Sequence, residues 1–162
     1  SPEFFEFIKR VVLKNTYGDQ GIPGESVNHK SLEEKIKLWN ERWSNVCDFS
    51  NERGIDVVVA IPPLLGSGNK PLSEWELQNL ERLSHNSITP SYYLVKNSLK
   101  DLDKQCSNTL DLTNTFDHYE NTIYLDNQHV GDIGNMLIAD ELYTFLLPII
   151  DEKILRDKNL DV

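Results

Sequence analysis

The chain has 162 residues, 39% of them hydrophobic, and a formal net charge of −10 from 16 basic and 26 acidic side chains. That length suits one domain, and the composition is that of a soluble globular chain rather than a disordered one. The acidic balance speaks against nucleic-acid binding, which needs a basic surface to neutralise phosphates, and against docking on anionic membranes.

Ser1-Pro2-Glu3-Phe4 reads as the remnant of a cloning linker, and the only methionine is Met136, so the chain reads as cut from a longer protein. Residues 5–13 are apolar and fit helix or strand equally. Residues 15–30, rich in Asn, Gly, Pro and Ser, read as a loop. Ser31 with Glu34 makes a capping-box pattern, and Leu32, Ile36, Trp39, Trp43, Val46 and Cys47 follow at helical spacing. Gly54 suits the left-handed position after that helix. Ile55 to Ile61 is a short, β-branched run stopped by Pro62-Pro63, the pattern of a strand buried on both faces. A Gly/Ser/Asn loop over 64–71 follows it. Ser73 with Glu76 is a second capping box, opening a helix to about Leu83, and Thr89-Pro90 begins another, to about Lys104. Asn108–Thr113 is a second strand and Thr122–Leu125 a short extended segment. Asp132 caps the last helix, with Ile133, Met136, Leu137, Tyr143, Leu146 and Leu147 as its apolar stripe and Pro148 disturbing its end. Residues 151–162 read as a frayed, charged tail. Helix, glycine turn and buried strand in alternation predict an α/β fold.

The longest apolar run, Phe145–Ile150, falls far short of the ~20 residues a membrane span needs, so no spanning segment is expected, nor a signal peptide. Cys47 and Cys106 sit in no CxxC and have no His at ligand spacing. They read as buried free thiols, a disulfide between them staying open, which leaves the compartment unassigned with a lean to a reducing, cytoplasmic one.

The stretch that carries chemistry is Tyr124-Leu125-Asp126-Asn127-Gln128-His129-Val130-Gly131-Asp132-Ile133-Gly134-Asn135. An Asp three residues before a His, on a loop entering a helix, sets the carboxylate beside the imidazole. It can accept from Nδ1 and leave Nε2 as a general base. A serine hydrolase needs such a base because a hydroxyl attacks poorly until its proton is taken. His29, His85 and His118 form no metal-ligand pair, so neither metal nor cofactor is expected. Trp39 and Trp43, one turn apart, read as core rather than a sugar platform.

Asp126-x-x-His129 after a short strand, then Gly134-Asn135 and Ile138-Ala139 within a C-terminal helix, resembles the last block of the SGNH/GDSL hydrolases. Asp111-Leu112-Thr113 with Phe116-Asp117 resembles the strand and loop before that block in polysaccharide-associated members. Ile61-Pro62-Pro63 with Pro71-Leu72-Ser73-Glu74 resembles the preceding βα unit. The likeness runs from about residue 31 to 150. It implies a three-layer α/β/α fold with a short, mostly parallel sheet, part of an SGNH or flavodoxin-like domain spanning 5–150. It also implies an esterase that removes acyl or acetyl groups from small esters or acylated glycans, with His129 as base and Asp126 orienting it.

The Gly-Asp-Ser, Gly and Asn blocks of that family are not found, so the chain reads as the C-terminal portion, inactive alone. Gly24-Glu25-Ser26 has the outline of a nucleophile motif but follows no hydrophobic strand. Asn15 reads as a turn residue, Ser67 as part of a Gly-rich loop and Ser73 as an N-cap. Half of a doubly wound sheet would leave the Asp56–Ile61 strand with an unpaired edge, implying self-association there or helices rearranged over it. Two other readings stand beside this one: a non-catalytic α/β interaction module with an incidental Asp-x-x-His, and a metal-dependent hydrolase using Asp126, His129 and Asp132.

Overall fold

The structure, a computed structural model, describes residues 31–84 and 88–160. Residues 1–4, read as a linker remnant, the 5–13 segment, residues 15–30 with Asn15, Ser26 and His29, and His85 lie outside the described residues. The elements are α1 (Leu32–Asn51), β1 (Val58–Ile61), α2 (Glu74–Ser84), α3 (Ile88–Leu102), β2 (Asn108–Asp111) and α4 (Asp132–Leu160). β1 and β2 pair as a two-stranded parallel sheet, the two helices between them forming the crossover such pairing requires. The class is mixed α/β. The described residues divide into two compact units, 31–59 with Leu94–Thr109, and Ala60–Tyr93 with 110–160.

In the first unit, α1 begins as its sequence dictates. Ser31 Oγ accepts the Glu34 amide at 3.2 Å, and Glu34 accepts the Ser31 amide at 2.7 Å. It ends as a Schellman turn: the Gly54 amide donates to Asn51 O at 3.1 Å and the Ile55 amide to Ser50 O at 3.0 Å. Gly54 itself stands at φ 64°, where a side chain would be strained. Cys47 and Cys106 are buried but not free: they form a disulfide, correcting the reading of two thiols. Spacing alone could not have paired them, because it takes the fold to bring the two Cα atoms to 4.9 Å. Trp39 and Trp43 pack edge to face at 6.4 Å and are only half-buried.

β1 departs from expectation. Val59 and Ile61 are buried while Ala60 is exposed, so the strand is covered on one face rather than two. The apolar run in the sequence therefore overstated its burial.

The core of the second unit is Leu65, Phe116, Ile123 and Tyr124, with Leu72, Leu80, Tyr119, Val130, Leu137 and Ile138 packed against it. Phe116 and Tyr124 meet edge to face, 5.5 Å between centroids. Three readings of α4 need correction. The helix passes through Pro148 and continues to Leu160, so the charged stretch 151–160 is helical; Pro148 merely forfeits one backbone bond, and Glu152, Lys153 and Arg156 are good helix formers. Its segment Asp132–Arg156 is by length and composition apolar enough to cross a membrane, contrary to the reading that stopped at Pro148. Lastly, the expected inward stripe is largely turned out: Ile133, Met136, Tyr143 and Leu147 are exposed, whereas Leu137 and Ile138 face the core.

Candidate active site

Asp126 and His129 occupy the tip of a small hairpin. Tyr124 bridges Val130 in antiparallel fashion, the Leu125 amide donates to His129 O at 2.8 Å, and the Gly131 amide to Ile123 O at 3.2 Å. Across the tip, Asp126 Oδ1 accepts the amides of Gln128 (2.9 Å) and His129 (2.7 Å), an Asx turn. The second oxygen, Oδ2, lies 2.7 Å from His129 Nδ1. The structure thus brings together the two residues singled out in the sequence.

The Gln128 amide, the His129 amide and the His129 ring together hold the Asp126 carboxyl at a pKa of about 2. The carboxylate is therefore ionised, and an ionised carboxylate only accepts. In the neutral imidazole the proton between the pair then sits on Nδ1, and Nε2 carries the lone pair. The side chains are 50% and 67% exposed, so Nε2 is open to an incoming group.

The hairpin is held from three sides. The most substantial support is Glu76, a fully buried carboxylate at the N-terminus of α2. Its Oε1 accepts the amides of Ile123 (3.0 Å) and Tyr124 (3.2 Å), and its Oε2 accepts Lys70 Nζ (2.8 Å) and the Ser73 amide (2.9 Å). Burial works to raise its pKa, but the Ile123 amide, the Lys70 ammonium and the Ser73 and Tyr124 amides outweigh it and hold the group at about 2. Lys70, itself buried, also donates to Pro71 O at 2.8 Å. The second support is Leu65, whose amide donates to Asn127 O at 3.0 Å. The third is the head of α4. There Gly134 lies so close to the hairpin that a Cβ would stand 2.6 Å from Val130 Cβ and 3.2 Å from Ile123 Cγ1. The α4 cap differs by one residue from expectation: the Asn135 amide donates to Gly131 O at 3.0 Å, so Asp132 is the first helical residue.

A second carboxylate organises the neighbouring loops. Asp117 accepts the Asn69 amide (2.7 Å), Asn69 Nδ2 (3.1 Å) and Asn114 Nδ2 (2.7 Å). Burial pushes its pKa up, but the two Asn69 donors and Asn114 carry it below the usual carboxylate range. Gly68 permits this approach, since a Cβ there would meet Thr113 O at 2.3 Å. The serines near this region are committed elsewhere. Ser67 Oγ accepts the Leu64 amide at 2.9 Å, and Ser73 Oγ accepts the Glu76 amide at 3.3 Å and the Thr122 hydroxyl at 2.8 Å.

Sequence reasoning missed the support. Glu76 was visible only as a capping-box residue, and that pattern does not announce a carboxylate reaching two distant amides. Lys70 gave no signal. Among the described residues no three His, Cys, Asp or Glu side chains are grouped to hold a metal ion, so Asp126, His129 and Asp132 do not make the metal site of the third reading. The fold and site define a mixed α/β protein with a solvent-open, carboxylate-oriented histidine. No protein-family model, curated protein or solved structure matches the chain.

Proposed function

We propose that the chain carries the acid–base end of an SGNH-type ester hydrolase, part of a three-layer α/β/α domain acting on acyl or acetyl groups of small esters or glycans. The observation that supports this is the 2.7 Å contact between Asp126 Oδ2 and His129 Nδ1, on an imidazole side chain that is 67% exposed. In such a reaction Nε2 takes the proton of a serine hydroxyl as its oxygen attacks the ester carbonyl, and returns it to the departing alcohol. The acyl-serine then yields to water, deprotonated by the same nitrogen. Asp126 remains ionised throughout and stabilises the imidazolium.

The nucleophile in this reading lies outside the described residues, supplied by polypeptide N-terminal to them. The chain alone is then expected to hydrolyse p-nitrophenyl acetate no faster than free imidazole. The protein extended upstream through its natural coding sequence is expected to turn the ester over, and to lose that activity in His129→Ala. Turnover by the unextended chain that vanishes in Ser26→Ala would instead put the nucleophile within it. The second reading, a non-catalytic α/β interaction module, draws on the apolar side chains exposed along α4. It expects no Gly-Asp-Ser after a strand upstream and no activity in the extended protein.

A further inference from the structure

The outward side of α4 carries an ordered pattern. Ile133, Met136, Tyr143, Leu147, Ile150 and Ile154 are each between 41% and 66% exposed. With Asp140 they recur at alternating steps of three and four residues over seven positions. That is a repeat of 3.5, the spacing that keeps one seam facing a partner helix. At ~100° per residue this seam lies opposite Gly134 and Ile138, which with Leu137 dock the helix on its own core. The helix is apolar on both sides, and only one side is covered.

We infer that this seam is a dimer interface in which α4 packs antiparallel against α4 of a second copy of the chain. Area favours a sizeable partner. Six large side chains about half exposed present on the order of 600 Å² per copy. That approaches the ~800 Å² per partner of a stable interface and lies at the upper end of the ~300–600 Å² patch that monomers leave bare. Direction follows from Asp140. Parallel pairing would stack it on its own counterpart within the seam, two like charges in contact. Antiparallel pairing sets Met136 against Ile154, Tyr143 against Leu147 and Asp140 against Ile150 of the second copy, which keeps the two Asp140 carboxylates apart. A lipid surface fits less well. The first turns of α4 are docked on protein, Asp140 lies on the seam itself, and a net charge of −10 repels anionic headgroups. The inference stands apart from the ester-hydrolase reading, since it involves neither Asp126 nor His129.

Light scattering on the intact chain across a concentration series tests it. A dimer is expected, with Tyr143→Glu/Leu147→Glu giving a monomer of unchanged circular dichroism. Both positions face solvent, so the monomer's fold should be spared. Direction is read by oxidative cross-linking, the native cysteines being already paired. Met136→Cys mixed with Ile154→Cys is expected to cross-link, and neither variant alone. A monomer at NMR concentrations, a dimer that survives the double substitution, or cross-linking of Met136→Cys with itself would each overturn the proposal. So would a monomer that co-sediments with phosphatidylcholine vesicles and loses that binding in the double variant.

Discussion

Glu76 Oε1 accepts the backbone amide of Ile123 at 3.0 Å across 47 residues of chain. That bond, with its neighbour to Tyr124, fixes the strand that leads into the hairpin. The position of Asp126 and His129 therefore depends on a carboxylate that touches neither.

Replacing Glu76 should accordingly cost more than an ordinary cap. Glu76→Gln turns an amide donor toward Lys70 or toward the amides the carboxylate now satisfies. Breaking a buried, hydrogen-bonded ion pair costs about 3–5 kcal/mol. For a chain of this length that is a drop in Tm on the order of 10 °C, measurable by calorimetry. The pH dependence separates this from generic damage. The folded pKa is depressed from 4.5 to about 2, so the stabilisation is complete above the unfolded value and is lost as pH falls from there toward 2. The acid limb of the stability curve should be steep in the native protein and shallower in Glu76→Gln. An unchanged limb would remove Glu76 from this role.

Gly134→Ala should destabilise even though alanine is the better helix former by about 1 kcal/mol. The added methyl would lie 2.6 Å from Val130 Cβ, a backbone-anchored atom that cannot swing away. Relief requires the head of α4 or the hairpin to move, at about 1–3 kcal/mol. Chemical-shift changes should concentrate in residues 123–134. A neutral or stabilising substitution would contradict the packing described.

The disulfide closes a sequence separation of 59 residues. Loop-closure entropy at that length corresponds to about 4 kcal/mol. Cys47→Ala/Cys106→Ala should lower the denaturation midpoint accordingly, with reductant giving a similar loss in the native chain. Indifference to reductant in both the folded and unfolding baselines would show that the thiols do not pair in solution. A disulfide retained in solution would count against the reducing compartment that two free thiols imply.

Local features were legible from residues alone. The Ser31 and Ser73 caps, the Gly54 turn, the α/β alternation and the Asp126–His129 contact all follow from chemistry acting over a few residues. What failed was set by distant contacts. The burial of β1 on one face depends on what covers the sheet, and periodicity carries no record of that. Spacing does not say which side of α4 faces inward because both are apolar, and which one docks is decided by Gly134 and the hairpin. Pro148 does not break α4, since a long helix tolerates the loss of one bond. Glu76, Lys70 and Asp117 form networks between segments far apart in sequence, and nothing local marks them.

The most direct test of the central claim is ester hydrolysis by the protein extended upstream through its natural coding sequence, compared with its His129→Ala and Asp126→Asn variants. General-base assistance is worth about 10²–10⁴-fold. Both variants should fall by that order in kcat on p-nitrophenyl acetate while KM changes little. Turnover that survives His129→Ala undiminished would contradict the assignment of the pair as catalytic.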